Sequence, residues 1–495
     1  MSGAPAPARA RPSPSFPVRS AAPPALWFLL SLLLYAGTGS LRYRAGRVGS
    51  YDLGIFAQAA EGWAAGDGPV SDLRGPGYLL LQEHFSPVTV LFVPGWWLWP
   101  DPRSLVLTQA LVLAVAVAVV AVAAARRLPP GAAAALTAAF AVSSGVLDAA
   151  RFDVHEVAFA APLLALVCSA VLEDRPRAAF WSAAPLLLVK EDLGATVCAL
   201  ALVLWWRGHR TWAVRTAVLG VVGGLVGVGT VVWFNPQHTV PFLGFLTGAT
   251  ATADTPLSAR LLEAAALVGL LVLTGGVVWV RSSLAVLVVP TLLWRLGSSN
   301  PSYWLSHLHY DLVLMPVITS ALLDVLSRSP VARLTAGPAV RSRAWVRPAA
   351  LTCAVATAAV QLVVHPPLPR PAQAWSADVP AQVQAAAALI PDGASVAADN
   401  NTGPYLVSRF RVRMWSYDHS TRARWIVVDT ARSSYVAPLE GKAATVAALR
   451  QVPGVSVEQV GDYAVIGLPC EGWVRQVQPA APRPQPTPVW ESGCS

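Results

Sequence analysis

The stretch PLLLVKEDLGATVCALALVLWW, residues 185–206, decides how this chain is arranged. It is apolar except for Lys190, Glu191 and Asp192 in its middle. Read as one spanning helix it would place three charges near the bilayer centre, at about 2.5–3.5 kcal/mol each. Broken at the charges it gives two short membrane helices, 178–190 and 192–206, with the cluster at or just below the outer surface. Most of the cost then disappears.

The rest of the sequence sets that break in context. The 495 residues are 55% hydrophobic and 13% charged, with a mean hydropathy of +0.51, which is too apolar and too poor in charge for a soluble domain. Runs of the roughly 20 apolar residues that a spanning helix needs recur from Leu26 to Val364, so the chain is polytopic and no single cleavable signal accounts for the pattern. Residues 1–23, rich in Pro and Ala with Arg9, Arg11 and Arg19, read as a disordered cytoplasmic tail. The net charge of +9 does not point to nucleic acid, because the arginines lie in short loops and form no single basic face. Lysine occurs twice, as Lys190 and Lys442, which makes a lysine beside two acids unusual for this chain.

Placing the basic loops in the cytoplasm threads a transmembrane domain over 24–365. The first helix (about 26–40) leads out to a large outer loop, 41–103. Helices at 104–125, 131–148, 155–172, 178–190, 192–206, 212–234, 261–280 and 283–296 follow. A tenth runs inward to the arginine-rich loop, and an eleventh (348–364) leads out. The expected architecture is an all-α membrane protein of about eleven helices, N-terminus inside. A small extracytoplasmic α/β domain at 376–469 follows, with strands around SVAAD, RWIVVD and VEQVGDYAVIGL, and then a Pro-rich tail, 470–495. Cys168, Cys198 and Cys353 fall in membrane helices as small apolar thiols. An oxidising exterior would let Cys470 and Cys494 close the tail as a disulfide, with two unpaired thiols as the alternative.

On this threading the polar clusters all face outward. SYDLGIFAQAAEGWAAGDG carries Asp52 in the first turn of an amphipathic helix expected to lie on the outer surface. Alone, Asp52 needs no more explanation than complementing a helix N-terminus that Ser50 caps. QEHFSP supplies Glu83 and His84, and ARFDVHEV supplies Arg151, Asp153, His155 and Glu156. Such groups form solvated turns, and they are also what a general base or divalent metal needs. Lys190 suits a phosphate, with Glu191 and Asp192 orienting it or binding metal; a self-neutralising interfacial cluster is the alternative. In LGSSNPSYWLSHLHYD, His307 and His309 could contact sugar or phosphate, while Tyr303 and Trp304 suit interface anchoring. Carboxylate-rich clusters, here Asp153, His155, Glu156, Glu191 and Asp192, favour Mg or Mn over Zn.

Taken together, YDLGIF, HFSP, FDVHE, KED and SSNP in this order resemble a family of bacterial and archaeal predicted membrane proteins known as a domain of unknown function, over about Tyr51 to Leu468. FDVHE departs from the family's FHPE-like form, which leaves the register of His155 and Glu156 within that motif open. More distantly, the layout is similar to GT-C glycosyltransferases, which use polyprenyl-phosphate-linked sugars. That similarity implies a GT-C-like fold and assigns Asp52 the place of the first-loop carboxylate, a catalytic base or metal ligand. The second acid often beside it is Leu53 here. The implied activity is transfer of a sugar from a polyprenyl-phosphate donor to a glycan, lipid or protein acceptor of the envelope, at the outer leaflet of the plasma membrane. Asp52, Glu83 and His84 would be catalytic, and Lys190, Arg151, His307 and His309 would bind substrate or phosphate. The competing expectation is a non-enzymatic transporter or assembly factor for lipid-linked precursors, whose polar groups would lie at several depths.

Overall fold

The computed structural model describes residues 22–241, 243–244, 256–306, 308–328, 346–364, 377–416, 420–434, 436–474, 476 and 490–491. Helix α1 spans Ala22–Arg44. A single π-turn, Ser50–Gly54, leads into α2, Ile55–Ala65. A 3-10 segment, Pro87–Phe92, runs into the short α3, Val93–Leu98, and then comes α4, Pro102–Ala125. Two helices, α5 (Pro130–Ala141) and α6 (Ser144–Arg151), are bent by 43° where they meet. They are followed by α7 (Ala160–Leu172), α8 (Pro176–Ala183), α9 (Leu193–Trp206) and α10 (Arg210–Phe234). The last four helices of this part are α11 (Leu257–Thr274), α12 (Val289–Gly297), α13 (Met315–Ser327) and α14 (Val346–Val364).

The break at Lys190 is present: a 3-10 segment, Ala184–Leu188, ends before it and α9 starts after Asp192. The count of eleven crossings is not reached by helix length. Among the described residues five helices, α1, α4, α10, α11 and α14, are long and apolar enough to cross a membrane, or six if α5 and α6 form one span. Elsewhere the expected spans are short helices interrupted by 3-10 turns at Glu156–Phe159, Ala184–Leu188 and Ser283–Val288. Proline opens several of them, where its missing N–H and fixed φ are tolerated. The outward side of α10 is continuously apolar, with Val218, Val221, Val222 and Leu225 exposed, as a lipid-facing helix requires.

The amphipathic helix after α1 is not a surface helix. Leu53, Ala57, Ala59 and Ala60 in and before α2 are fully buried, because α2 packs on α3, α4 and the Pro87–Phe92 segment and meets the C-terminal region at Gln58. Gln58 Nε2 donates to Val412 O at 2.9 Å across that contact.

The C-terminal region places α15 (Val379–Ala387) and α16 (Leu439–Leu449) on one sheet. Its strands are β1 (Ser395–Ala398), β2 (Arg411–Met414), β3 (Thr421–Asp429), β4 (Ser456–Val460), β5 (Tyr463–Val474) and β6 (Trp490–Glu491). The order is β2-β1-β3-β5-β4, with β6 on β5. β1 is parallel to both neighbours, and β4 and β5 form an antiparallel hairpin pairing Val460 with Tyr463. A parallel β1–β2 pair needs a crossover, and that crossover, 399–410, packs against the chain around Ser50. Cys470 lies on β5 and is disulfide-bonded; Cys494 lies outside the described residues.

Candidate active site

Asp52 sits on the π-turn, a geometry frequent at functional sites. Its side chain lines a cavity of about 250 Å³ whose walls are Tyr51, Ile55, Phe56, Pro69, Leu80 and Leu81 on the apolar side. Arg74, Glu83, His84, Ser86, Thr89, His155 and Glu156 supply the polar side. Two of the three expected catalytic groups thus come from one loop, 80–89, and meet Asp52 in one hollow. Among the described residues no side-chain hydrogen bond or ion pair reaches the Asp52 carboxylate. Burial, then the nearby Asp153 and Glu156, push its pKa well above the usual carboxylate range, against the pull of Lys190.

The turn after α6 and the break before α9 complete the floor. Lys190 Nζ lies 3.2 Å from Glu156 Oε1, and His155 Nδ1 lies 2.7 Å from Glu156 Oε2. Glu156 is buried, with Lys190 against one of its oxygens and His155 against the other. Glu191 is spent elsewhere: its carboxylate lies 2.9 Å from His84 Nδ1 and accepts the Phe85 N–H at 2.9 Å. The loop that brings His84 to the cavity is therefore anchored on the helix break.

Beyond Lys190 lies a second, smaller hollow of about 50 Å³, lined by Lys190, Asp192, Trp294, Tyr303, His309 and Tyr310 among others. His309 stacks on His155, ring centroids 3.6 Å apart, and its Nδ1 is buried without a hydrogen-bond partner. Arg295, fully buried on α12, shapes this wall. It donates to the carbonyls of Tyr303 (2.9 Å), Leu305 (3.0 Å) and Tyr310 (3.2 Å) and to Asp311 Oδ1 (2.5 Å).

Several predicted residues do not join. Arg151 turns back to Asp148 on its own helix, 3.3 Å away, because residues three apart on α6 share a face. Asp153 points away from Glu156: its Oδ2 accepts the Gly49 N–H at 2.7 Å and its Oδ1 is 4.0 Å from Arg42. His307 lies outside the described residues. Among the described residues no three His, Cys, Asp or Glu side chains come together to hold a metal ion, and the expected Mg or Mn donors do not fit one site: Asp153 serves Gly49, Glu191 serves His84, and Asp192 lines the other hollow. Two site residues went unrecognised in the sequence, Arg74 and Arg295. Their signals were an arginine in an outer loop, where the charge rule expects few, and an arginine inside an apolar helix.

Two crystal structures of ArnT from Cupriavidus metallidurans share this fold. The form bound to undecaprenyl phosphate gives a TM-score of 0.52 and the apo form 0.50; each is 16% identical and covers 89% of this chain and 97% of its own. That likeness is one of fold, and it matches the GT-C-like layout expected above. A comparison with curated proteins finds no match. The model of the family described as "Predicted membrane protein (DUF2079)" matches residues 47–444, and the chain belongs to that family.

Proposed function

We propose that the protein is a membrane glycosyltransferase that moves a sugar from a polyprenyl-phosphate donor to an envelope acceptor at the outer leaflet. The observation that carries this reading is the unpaired Asp52 carboxylate on the wall of a cavity that also holds Arg74, with Lys190 behind Glu156. In the proposed step Asp52 takes the proton of an acceptor hydroxyl. The hydroxyl oxygen forms a bond to the anomeric carbon as the carbon–oxygen bond to phosphate breaks, and the electron pair leaves on the phosphate oxygen. Arg74 and Lys190 face the charge that develops there. A carboxyl whose pKa is raised is a stronger base than a solvated one.

The aromatic walls Trp294, Tyr303 and Tyr310 suit the sugar, and the apolar residues Ile55, Leu80 and Leu81 suit the lipid side. Gathering the polar groups into two adjoining hollows supports a transferase over a transporter, whose ionisable groups would be spread along a route. The fold shared with a protein crystallised with undecaprenyl phosphate supports the lipid class. The reading keeps the eleven-pass threading, with the α/β region outside the cell.

Binding of undecaprenyl phosphate to the full chain in nanodiscs tests the proposal. Affinity falling at least tenfold in Arg74→Ala is expected; equal binding by wild type and Arg74→Ala contradicts the assignment of the phosphate to this cavity.

A further inference from the structure

The chain between α1 and the Asp52 turn is held from the C-terminal region at three successive points. The Tyr405 hydroxyl donates to Tyr43 O at 2.7 Å, its ring edge-on to that of Tyr43 with centroids 4.7 Å apart. Arg432 Nη1 donates to Gly46 O at 3.1 Å. At the turn itself, Asn400 uses both of its oxygens: its backbone carbonyl accepts the Ser50 N–H at 2.8 Å and its Oδ1 accepts the Tyr51 N–H at 3.0 Å. The first N–H groups of a helical turn have no partner within it, and here a residue remote in sequence satisfies them. Gly403 of the same crossover packs directly against Ser50, so closely that a Cβ there would clash with the Ser50 Oγ.

Asn400 is itself rigidly mounted. The preceding Asp399 is fully buried; its Oδ1 accepts the N–H groups of Asn401 (2.9 Å) and Thr402 (3.1 Å) and the Thr402 hydroxyl (3.1 Å). Its Oδ2 lies 2.6 Å from Lys442 Nζ, also fully buried, which in turn donates to the carbonyls of Asp429 and Arg432. The second lysine of the chain thus fixes the β1–β2 crossover that carries Asn400. From the membrane side Asp153 accepts the Gly49 N–H, so the turn is gripped between the two regions, directly before Asp52.

We propose that Asn400 is a positioning residue for Asp52: the C-terminal region, clamped by the Lys442–Asp399 pair, sets the direction of the carboxylate through the Ser50 and Tyr51 amides. This rests on the assignment of Asp52 as the base, but it makes a claim about geometry that does not need turnover.

The test uses the full chain in nanodiscs as wild type, Asn400→Ala and Asn400→Asp. Hydrogen exchange is read on peptides covering 49–56 and on β1 and β3. Removing the Oδ1 acceptor raises exchange at the turn on the order of tenfold and leaves β1 and β3 unchanged; Asn400→Asp, which keeps an acceptor, restores protection. Infrared titration of the Asp52 carboxyl band, assigned by its loss in Asp52→Asn, gives the second readout. Its midpoint falls toward the ordinary carboxylate value in Asn400→Ala. Should Asn400→Ala fail to fold, Asn400→Ser, too short to reach Tyr51, carries the same expectations. Unchanged exchange over 49–56, or an Asp52 midpoint that does not move, overturns the proposal. Neither readout measures transfer, so a protein inactive in every assay still leaves this inference open to its own test.

Discussion

Lys190 Nζ stands 3.2 Å from Glu156 Oε1, so the positive charge in the interrupted helix is answered by the turn that follows α6. The pair explains why the break tolerates a lysine in so apolar a setting. Glu156 is buried and His155 is its other close partner. Substituting Lys190→Met leaves that carboxylate without its cation, and removing one member of a buried pair destabilises by about 3–5 kcal/mol. Thermal melting in detergent is expected to show a large drop in Tm for Lys190→Met and a small one for Lys190→Arg; equal melting of all three would mean the pair is not formed.

Arg295 has a similar standing in the second hollow. Its guanidinium serves three carbonyls and Asp311, a set that a lysine cannot reproduce because its ammonium lacks the planar fork. Arg295→Lys is therefore expected to lose stability nearly as far as Arg295→Met, by about 3 kcal/mol or more. Chemical denaturation monitored by tryptophan fluorescence checks this, since Trp294 and Trp304 flank the site.

The pH dependence of transfer follows from Asp52. A base acts only when ionised, and burial together with Asp153 and Glu156 raises the pKa of this carboxyl well above its usual value. Turnover is expected to fall as pH drops through that raised pKa, so the acid limb of the kcat/KM profile lies above the ordinary carboxylate range of about 4. An acid limb at the ordinary value would show a solvated Asp52.

Helices α9 and α10 touch through glycine. A Cβ on Gly220 would lie 2.7 Å from Cys198 Sγ and 2.9 Å from Gly194 O, so the two backbones meet as close-packed small residues allow. Gly220→Ile is expected to part them, lowering stability by about 1–3 kcal/mol or more and shifting Lys190–Asp192, which immediately precede α9. Loss of Tm together with weaker undecaprenyl phosphate binding is the predicted outcome; weaker binding is absent if the break is held by the loop contacts alone.

The sequence made legible what depends on local pattern. Three charges in an apolar run marked the break at Lys190, and the short apolar runs RWIVVD and YAVIGL marked β3 and β5. It did not show which way each residue of FDVHE points, because the partners of Asp153, Gly49 and Arg42, come from another part of the chain. Arg151 looked like a site residue until the helix paired it with Asp148. The contact of Glu191 with His84, and the grip of Asn400 on the Asp52 turn, join positions far apart in sequence and left no trace in composition or spacing. The burial of α2 was hidden for the same reason: nothing within its own residues announces its packing against α3, α4 and the Pro87–Phe92 segment. Helix length alone does not count the crossings, since apolar runs interrupted by proline and 3-10 turns read as spans in the sequence and form short helices in the fold.

The most direct test is turnover of undecaprenyl-phosphate-linked sugar by the purified full chain, comparing wild type with Asp52→Asn. The account predicts that Asp52→Asn binds undecaprenyl phosphate like wild type while transfer falls by about 10²-fold or more. Transfer by Asp52→Asn at the wild-type rate would contradict it.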